Sequence, residues 1–255
     1  MKLVADFHSH TLASDGKKSL EENVEAARQK GIKLLAVTDH DSSHWAGGIK
    51  RKTLPQMRQK VDGLNARYAG EIQVLLGLEC NLLGMEGQIG LSEEDKPFMD
   101  IVLMGFHLSG RPKGRGGFRH FMLKRAMGGR GREYVKKTTE AYIKAIQRHD
   151  IDIWVHPGHN IDVDFLPVAE ACAQRNTAIE ISCRAKHLHI DEQQIVSAKG
   201  LGACFAINSD GHTPQEIGCF DQGLAMAKKA GLTPRDIVNA EGYDGLWRYA
   251  LARRE

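Results

Sequence analysis

LVADFHSHT, residues 3–11, closes an apolar run on two histidines one residue apart, His8 and His10. In extended chain, residues i and i+2 project from the same face, so both imidazoles can reach one centre. The same punctuation recurs down the chain. Apolar stretches end on His40 in AVTDHD, Glu79 in LLGLEC, His107 in VLMGFH, His156 in IWVHPG, and the pair Asp210 and His212 in INSDGH. Asp15, in ASDG, follows just after the first pair. The apolar runs cover 2–8, 33–38, 72–79, 100–106, 151–156, 177–182 and 203–208. Most are continuous rather than alternating, as expected of parallel strands covered on both faces.

Helical segments separate many of these runs. The first opens on Ser19 and Glu22, an S-x-x-E capping box, and stops at Gly31. Others are expected near 54–69, 134–149, 165–176 (after Asp164) and 191–199, and a last one starts at Thr233 with Pro234 in its first turn. Strand–helix alternation implies an α/β fold with a parallel sheet, either a closed barrel or a doubly wound open sheet. Ligands ending six or seven different strands converge only if the strands form a ring, at the face where barrel enzymes carry their active sites. The sequence therefore predicts a seven-stranded β/α barrel, a single domain over 1–255.

Two stretches break the pattern. Residues 81–99 carry glycines without helical period and read as a hairpin or flap beside the site. Residues 111–137 hold ten Lys/Arg against one acid, Glu133, with six interleaved glycines. This basic, Gly-rich insertion, centred on about 110–133, reads as a solvated loop, or as a lid or groove for an oligonucleotide or other polyanion.

Composition narrows the function classes. A net charge of +3 is too small for nucleic-acid binding by the molecule as a whole. No apolar stretch approaches the roughly 18 residues of a membrane span. The first residues carry no apolar core of signal-peptide length, and the five cysteines are scattered without a CxxC pair. Both features lead to the expectation of a reduced, cytoplasmic protein without a structural zinc finger. A domain of 255 residues also needs no metal staple to fold. Its metal-capable residues are then better read as catalytic than as structural.

Six histidines and three carboxylates are too many for one tetrahedral ion. At three or four protein ligands per catalytic ion, with carboxylate bridging, they imply two or three ions. Imidazole nitrogen mixed with carboxylate oxygen suits Zn, Mn or Fe better than Mg or Ca. Singly, each residue has a plainer reading: a strand-end pair for His8 and His10, a cap for Glu79, a core histidine for His107. Their joint occurrence argues for a centre. Asp39 is read as orienting His40 or a neighbour, and His159 as a loop residue.

The motifs DFHSHTLASDG, TDHD, GLE, GFH, HPG and SDGH, in that order, resemble those of the PHP (polymerase and histidinol phosphatase) family, over about residues 1–245. The resemblance implies a distorted (β/α)7 barrel with three metal ions that hydrolyses phosphate esters. Carried over, His8, His10, Glu79 and Asp210 hold the first ion, and Glu79, His107 and His156 the second, with Glu79 bridging. Asp15, His40 and His212 hold the third. Some relatives place His where this chain has Asp15, which makes that site harder and more anionic. Glu79, His156 and Asp210 are the ligands expected to act most directly in catalysis.

The mechanism expected is attack by a metal-bound hydroxide, whose pKa falls from about 15.7 toward 7 between two ions. Arg184, just past the sixth strand, is the candidate cation for the substrate phosphate. The substrate expected is a small phosphorylated metabolite or nucleotide. The alternatives are a nuclease-like phosphodiesterase, an amidohydrolase-type C–N or lactone hydrolase, and a non-catalytic scaffold. The S-D-x-H ending and the TDH motif weigh against the amidohydrolase, and the full ligand set against the scaffold.

Overall fold

In the computed structural model, which describes residues 1–127, 131–243 and 245, the expected strands pair in chain order. Strands β1 (Ala5–Asp6), β2 (Leu34–Val37), β3 (Gln73–Asn81), β4 (Ile101–Gly105), β5 (Ile153–Trp154), β6 (Ala178–Ser182) and β7 (Phe205–Asn208) form one parallel sheet. The sheet curls into a nearly closed barrel. Just past β1 and β7, Ser9 and Gly211 form a parallel bridge, and the His10 N–H donates to the Gly211 carbonyl at 2.8 Å. The Phe7 N–H donates to Asn208 Oδ1 at 3.1 Å across the same seam. The architecture is the distorted (β/α)7 barrel, not the open doubly wound sheet.

Alternation along the strands explains the continuous apolar runs. Leu34, Ala36, Leu75, Ile101, Leu103 and Ala178 pack into one layer, and Leu35, Val37, Leu76, Val102, Met104 and Ile179 into another. The first layer takes alternate residues around the ring and fills the barrel interior. The second faces the helices. Each Leu, Ile, Val or Met buried this way stabilises the fold by about 1.5–3 kcal/mol. At the C-terminal end of the interior rows the composition changes: Glu79, Glu180 and Asn208 follow Leu75, Ala178 and Ala206 in the same two-residue register, and all three are buried.

Helices α1 (Leu20–Gln29), α2 (Leu54–Arg67), α3 (Gly114–Met127), α4 (Arg132–Arg148), α5 (Phe165–Arg175), α6 (Glu192–Gly200) and α7 (Asp221–Lys229) surround the barrel, with short 3-10 turns at Arg51–Thr53, Lys96–Phe98 and Pro234–Asp236. The Ser19–Glu22 capping box is present at α1. Asp164 precedes α5 but its side chain makes no cap hydrogen bond. The helix expected from Thr233 is only a single 3-10 turn, Pro234–Asp236, and among the described residues the last α-helix lies earlier, at α7. Residues 81–99 do open with a hairpin, in which Leu82 and Ile89 bridge antiparallel.

The basic insertion also departs from expectation. Much of it is helix rather than loop: α3, and then the first turns of α4. Gly117 makes this possible, because a Cβ there would sit 2.6 Å from the Leu83 carbonyl oxygen, so the helix lies flush on the hairpin. Phe121 packs on Phe106 with ring centroids 5.1 Å apart. Gly128, Gly129 and Arg130 of the insertion lie outside the described residues.

Candidate metal centre

The barrel brings all nine expected residues to its C-terminal mouth. Glu79, at the inward end of β3, is the hub. Its Oε1 lies 2.6 Å from His156 Nε2 and 3.2 Å from His107 Nε2. Its Oε2 lies 2.8 Å from His40 Nδ1, 3.5 Å from His8 Nε2 and 3.6 Å from His10 Nε2. Asp210 Oδ1 is 3.5 Å from His10 Nε2 and 3.9 Å from His8 Nε2. Asp15 Oδ2 is 3.2 Å from His212 Nε2 and 3.5 Å from His40 Nε2, and its Oδ1 is 3.6 Å from His10 Nδ1.

These contacts resolve into overlapping ligand sets whose donor atoms lie within 4.8 Å of one another: His8, His10 and Asp210; His8, Glu79 and His156; His40, Glu79 and His107; and His10, Asp15, His40 and His212. They draw on the nine expected residues but divide them differently from the three expected sites: Glu79 groups with His8 and His156 and with His40 and His107, and His10 joins Asp15, His40 and His212. A further set, His156, His187 and Asp210, adds a histidine that the sequence did not single out.

The residues present fit divalent ions. His8 Nε2 and both ring nitrogens of His10 are buried without a hydrogen-bond partner. Such atoms cost about 1–3 kcal/mol each unless something coordinates them. Burial alone would raise the Glu79 carboxyl, but His107, His40 and His8 around it hold it well below the ordinary range. Burial likewise opposes ionisation of Asp210, and His8, His10 and His187 overcome it. Burial pushes His10 down to about 3 and His107 to about 4, which leaves both imidazoles neutral at physiological pH. Burial opposes protonation of His40 too, yet Glu79 and Asp15 raise it to about 10. Burial opposes protonation of His8 as well, but Glu180, Asp210 and Glu79 raise it well above the ordinary range. The carboxylates and the His10 and His107 imidazoles thus stand in the states that metal binding requires, while His8 and His40 would release a proton as an ion bound.

Backbone strain coincides with the ligands. His156 and Asp210 adopt left-handed conformations, with φ of 31° and 51°. Non-glycine residues there cost of order 1–3 kcal/mol and persist where surrounding contacts impose them. Gly105 makes room for one of them: a Cβ on it would lie 2.7 Å from His156 Cε1.

A cavity of about 430 Å³ opens over the centre. Beyond the ligands it is lined by Lys17, His44, His159, Arg184, Lys186 and His187. Arg184 is half-buried, with Nη1 donating to His212 Nδ1 at 2.8 Å and lying 3.6 Å from Asp210 Oδ1. His187 Nδ1 contacts Asp210 Oδ2 directly. His44 stacks on His40, with ring centroids 4.2 Å apart. His159, read as a loop residue, faces the cavity and pairs with His189 at 3.2 Å. His120 and His149 lie apart from the centre, bonded to Thr138 and to the Gly87 carbonyl.

Asp39 acts on a neighbour rather than on His40. It accepts the Thr11 N–H and Thr11 hydroxyl, both at 2.7 Å, together with the Ser14 hydroxyl, and so fixes the turn that carries Asp15. The sequence reading also missed Asn81, whose Oδ1 lies 2.9 Å from His107 Nδ1 and accepts the His107 N–H. Glu180 was missed as well, although a lone charge inside the apolar run of β6 is a signal the sequence carries.

Comparison with known proteins identifies the family and the fold. The family model described as PHP domain matches residues 6–163. A probable phosphatase of Shewanella sp. (strain ANA-3) is 30% identical over 94% of this chain and 88% of its own length. The DNA polymerase/3'-5' exonuclease PolX of Bacillus subtilis (strain 168) is 26% identical over 94% of this chain, which spans 39% of that longer relative. Among solved structures, a histidinol phosphate phosphatase from Lactococcus lactis, crystallised with zinc, L-histidinol and phosphate, superposes with a TM-score of 0.64 at 17% identity. That superposition covers 90% of this chain and 94% of the other, and shows a shared fold.

Proposed function

Because this chain belongs to the PHP domain family, we propose that it is a metal-dependent phosphoesterase hydrolysing a small phosphorylated metabolite or nucleotide. The observation that carries this reading is the convergence of nine metal-capable side chains from the ends of six strands beneath one cavity. His8, His10, Glu79 and Asp210 would hold one ion, Glu79, His107 and His156 a second, and Asp15, His40 and His212 a third, each being Zn, Mn or Fe. Such ions supply Lewis acidity, which acidifies water and neutralises charge on phosphoryl oxygens.

The chain's own groups do the rest. Glu79 presents one oxygen to His107 and His156 and the other to His8, His10 and His40, so it can bridge two ions. Arg184 offers a planar fork of donors that can grip two phosphoryl oxygens, which a lysine ammonium cannot do in the same geometry. Asp210 holds His187 at the cavity wall. A volume of about 430 Å³ matches sites for metabolite-sized ligands.

The test is a panel of esters assayed with protein of measured metal content. Metal-dependent release of phosphate from a small monoester, abolished by chelation, is the expected result. Fully metal-loaded protein that hydrolyses no phosphate ester would end the proposal.

A second reading, phosphodiester cleavage in oligonucleotides, is favoured by α3. Arg115, Phe118 and Arg119 are exposed on it, and the Arg111 N–H just before it donates to the carbonyl of Ser43, next to His44 of the cavity wall. Cleavage of a short single-stranded oligonucleotide, with affinity falling steeply as salt rises, would select this reading. Absence of both would remove it.

A further inference from the structure

We propose that Glu180 is a positioning residue of the metal centre, a buried carboxylate that aims His8 and holds the His156 backbone in the orientation metal binding needs. The role rests on the metal-centre reading above. Glu180 belongs to none of the ligand sets, yet its side chain is fully buried. Ala178, two residues earlier in β6, points into the barrel interior, so Glu180 does too, directly under the cluster.

Three groups from three different strand ends meet its two oxygens. Oε1 lies 2.8 Å from His8 Nδ1 and accepts from Asn208 Nδ2 at 3.0 Å. Oε2 accepts the backbone N–H of His156 at 2.8 Å. A carboxylate only accepts, so a neutral His8 keeps its proton on Nδ1 and its lone pair on Nε2. Nε2 is the atom that is buried without a partner, 3.5 Å from Glu79 Oε2 and 3.9 Å from Asp210 Oδ1. The same carboxylate anchors His156 where φ is 31°, a conformation that needs outside support. One side chain thereby sets a ligand of the first ion and the backbone of a ligand of the second.

The chemistry also says why an amide will not serve. All three neighbours donate, and a glutamine has only one accepting end. In Glu180→Gln an NH2 group would face a donor, and either His8 would switch tautomer, placing its proton on the metal-facing nitrogen, or the His156 amide would lose its anchor. His107 needs only one acceptor for its ring nitrogen, and there Asn81 suffices.

The experiment measures zinc or manganese affinity by titration against a competing chelator, for wild type, Glu180→Gln, His8→Ala and the double variant. Melting of the chelated forms establishes that each is folded. Glu180→Gln is expected to bind one ion about 10–100-fold more weakly, the effect typical of removing a partner behind a ligand. That penalty is expected to shrink at least threefold in the His8→Ala background, because the share that acts through His8 is gone and only the share that acts through the His156 backbone remains. A merely structural role would lower melting temperature and leave the penalty unchanged by His8→Ala. Affinity within threefold of wild type, or a penalty that shrinks less than threefold, overturns the proposal. If Glu180→Gln does not fold, Glu180→Asp replaces it under the same criteria: it keeps the acceptors but is too short to span all three donors. Wild-type protein that bound no divalent ion would instead bring down the metal-centre reading itself.

Discussion

At the scale of single residues, Glu79 and Arg184 are the two side chains whose removal separates metal binding from substrate binding. Glu79 touches five histidines, so Glu79→Gln weakens every ion it would share. The expected outcome is loss of bound metal and a fall in kcat/KM beyond the roughly 100-fold upper range for residues that only support a ligand. Elemental analysis together with steady-state kinetics checks it, and full metal occupancy with near-normal turnover would contradict it. Arg184 stands at the cavity wall instead. A charged hydrogen bond is worth about 1.5–3 kcal/mol, or roughly 10–150-fold in rate. Arg184→Ala should therefore lower kcat/KM on a phosphate ester by that factor while metal content stays at the wild-type level. Unchanged kinetics would remove Arg184 from the reaction.

At the scale of elements, the strands and their ends were legible because burial on both faces writes an unbroken apolar run, and a polar residue then ends it. His8, His40, Glu79, His107, His156 and Asp210 all carry that signature. Helix α7 was not legible, and its packing shows why. Its inner face is Gly223 and Ala227 rather than large apolar residues, so no stripe marks it. Gly223 lies so close to the sheet that an added Cβ would be 2.5 Å from Ile207 Cγ2 and 2.8 Å from Cys183 Sγ. Glycines in the basic stretch misled in the opposite direction. Their spacing reads as loop, while Gly117 is there to let α3 approach the hairpin backbone. Glu180 and Asn81 were hidden for a third reason: what they bond to is set by the ring of strands, not by sequence neighbours. The α7 contact gives a stability prediction. Gly223→Ala overpacks the helix–sheet seam and should destabilise by about 1–3 kcal/mol. The urea midpoint should fall with an unchanged slope; an unchanged midpoint would show that the seam relaxes freely.

At the scale of the whole molecule, the barrel joins two regions of opposite character. Its lower interior is an apolar plug of alternate strand residues, continuous around the ring. Its mouth concentrates buried carboxylates and imidazoles, several with nitrogens that have no partner. The plug does not depend on the mouth, so the chelated protein should keep its helical circular dichroism. The mouth, however, has unmet coordination that an ion would satisfy in the folded state alone. Binding at 100 times its dissociation constant adds about 2.7 kcal/mol of stability. At roughly 2–4 °C per kcal/mol for chains of 150–250 residues, this chain, at the upper end of that size, should melt about 5–11 °C higher per ion. Asp210→Asn removes an anionic donor from the first ligand set, and should shrink that shift without lowering the melting temperature of the chelated form by a similar amount. Scanning calorimetry with zinc or manganese, against chelator, distinguishes the cases. Unfolding on chelation would make the metal a structural staple, and an absent shift would mean the cluster does not take up ions when folded. A shift that needs Asp210 ties the ion's binding energy to the strand ends that the ring brings together.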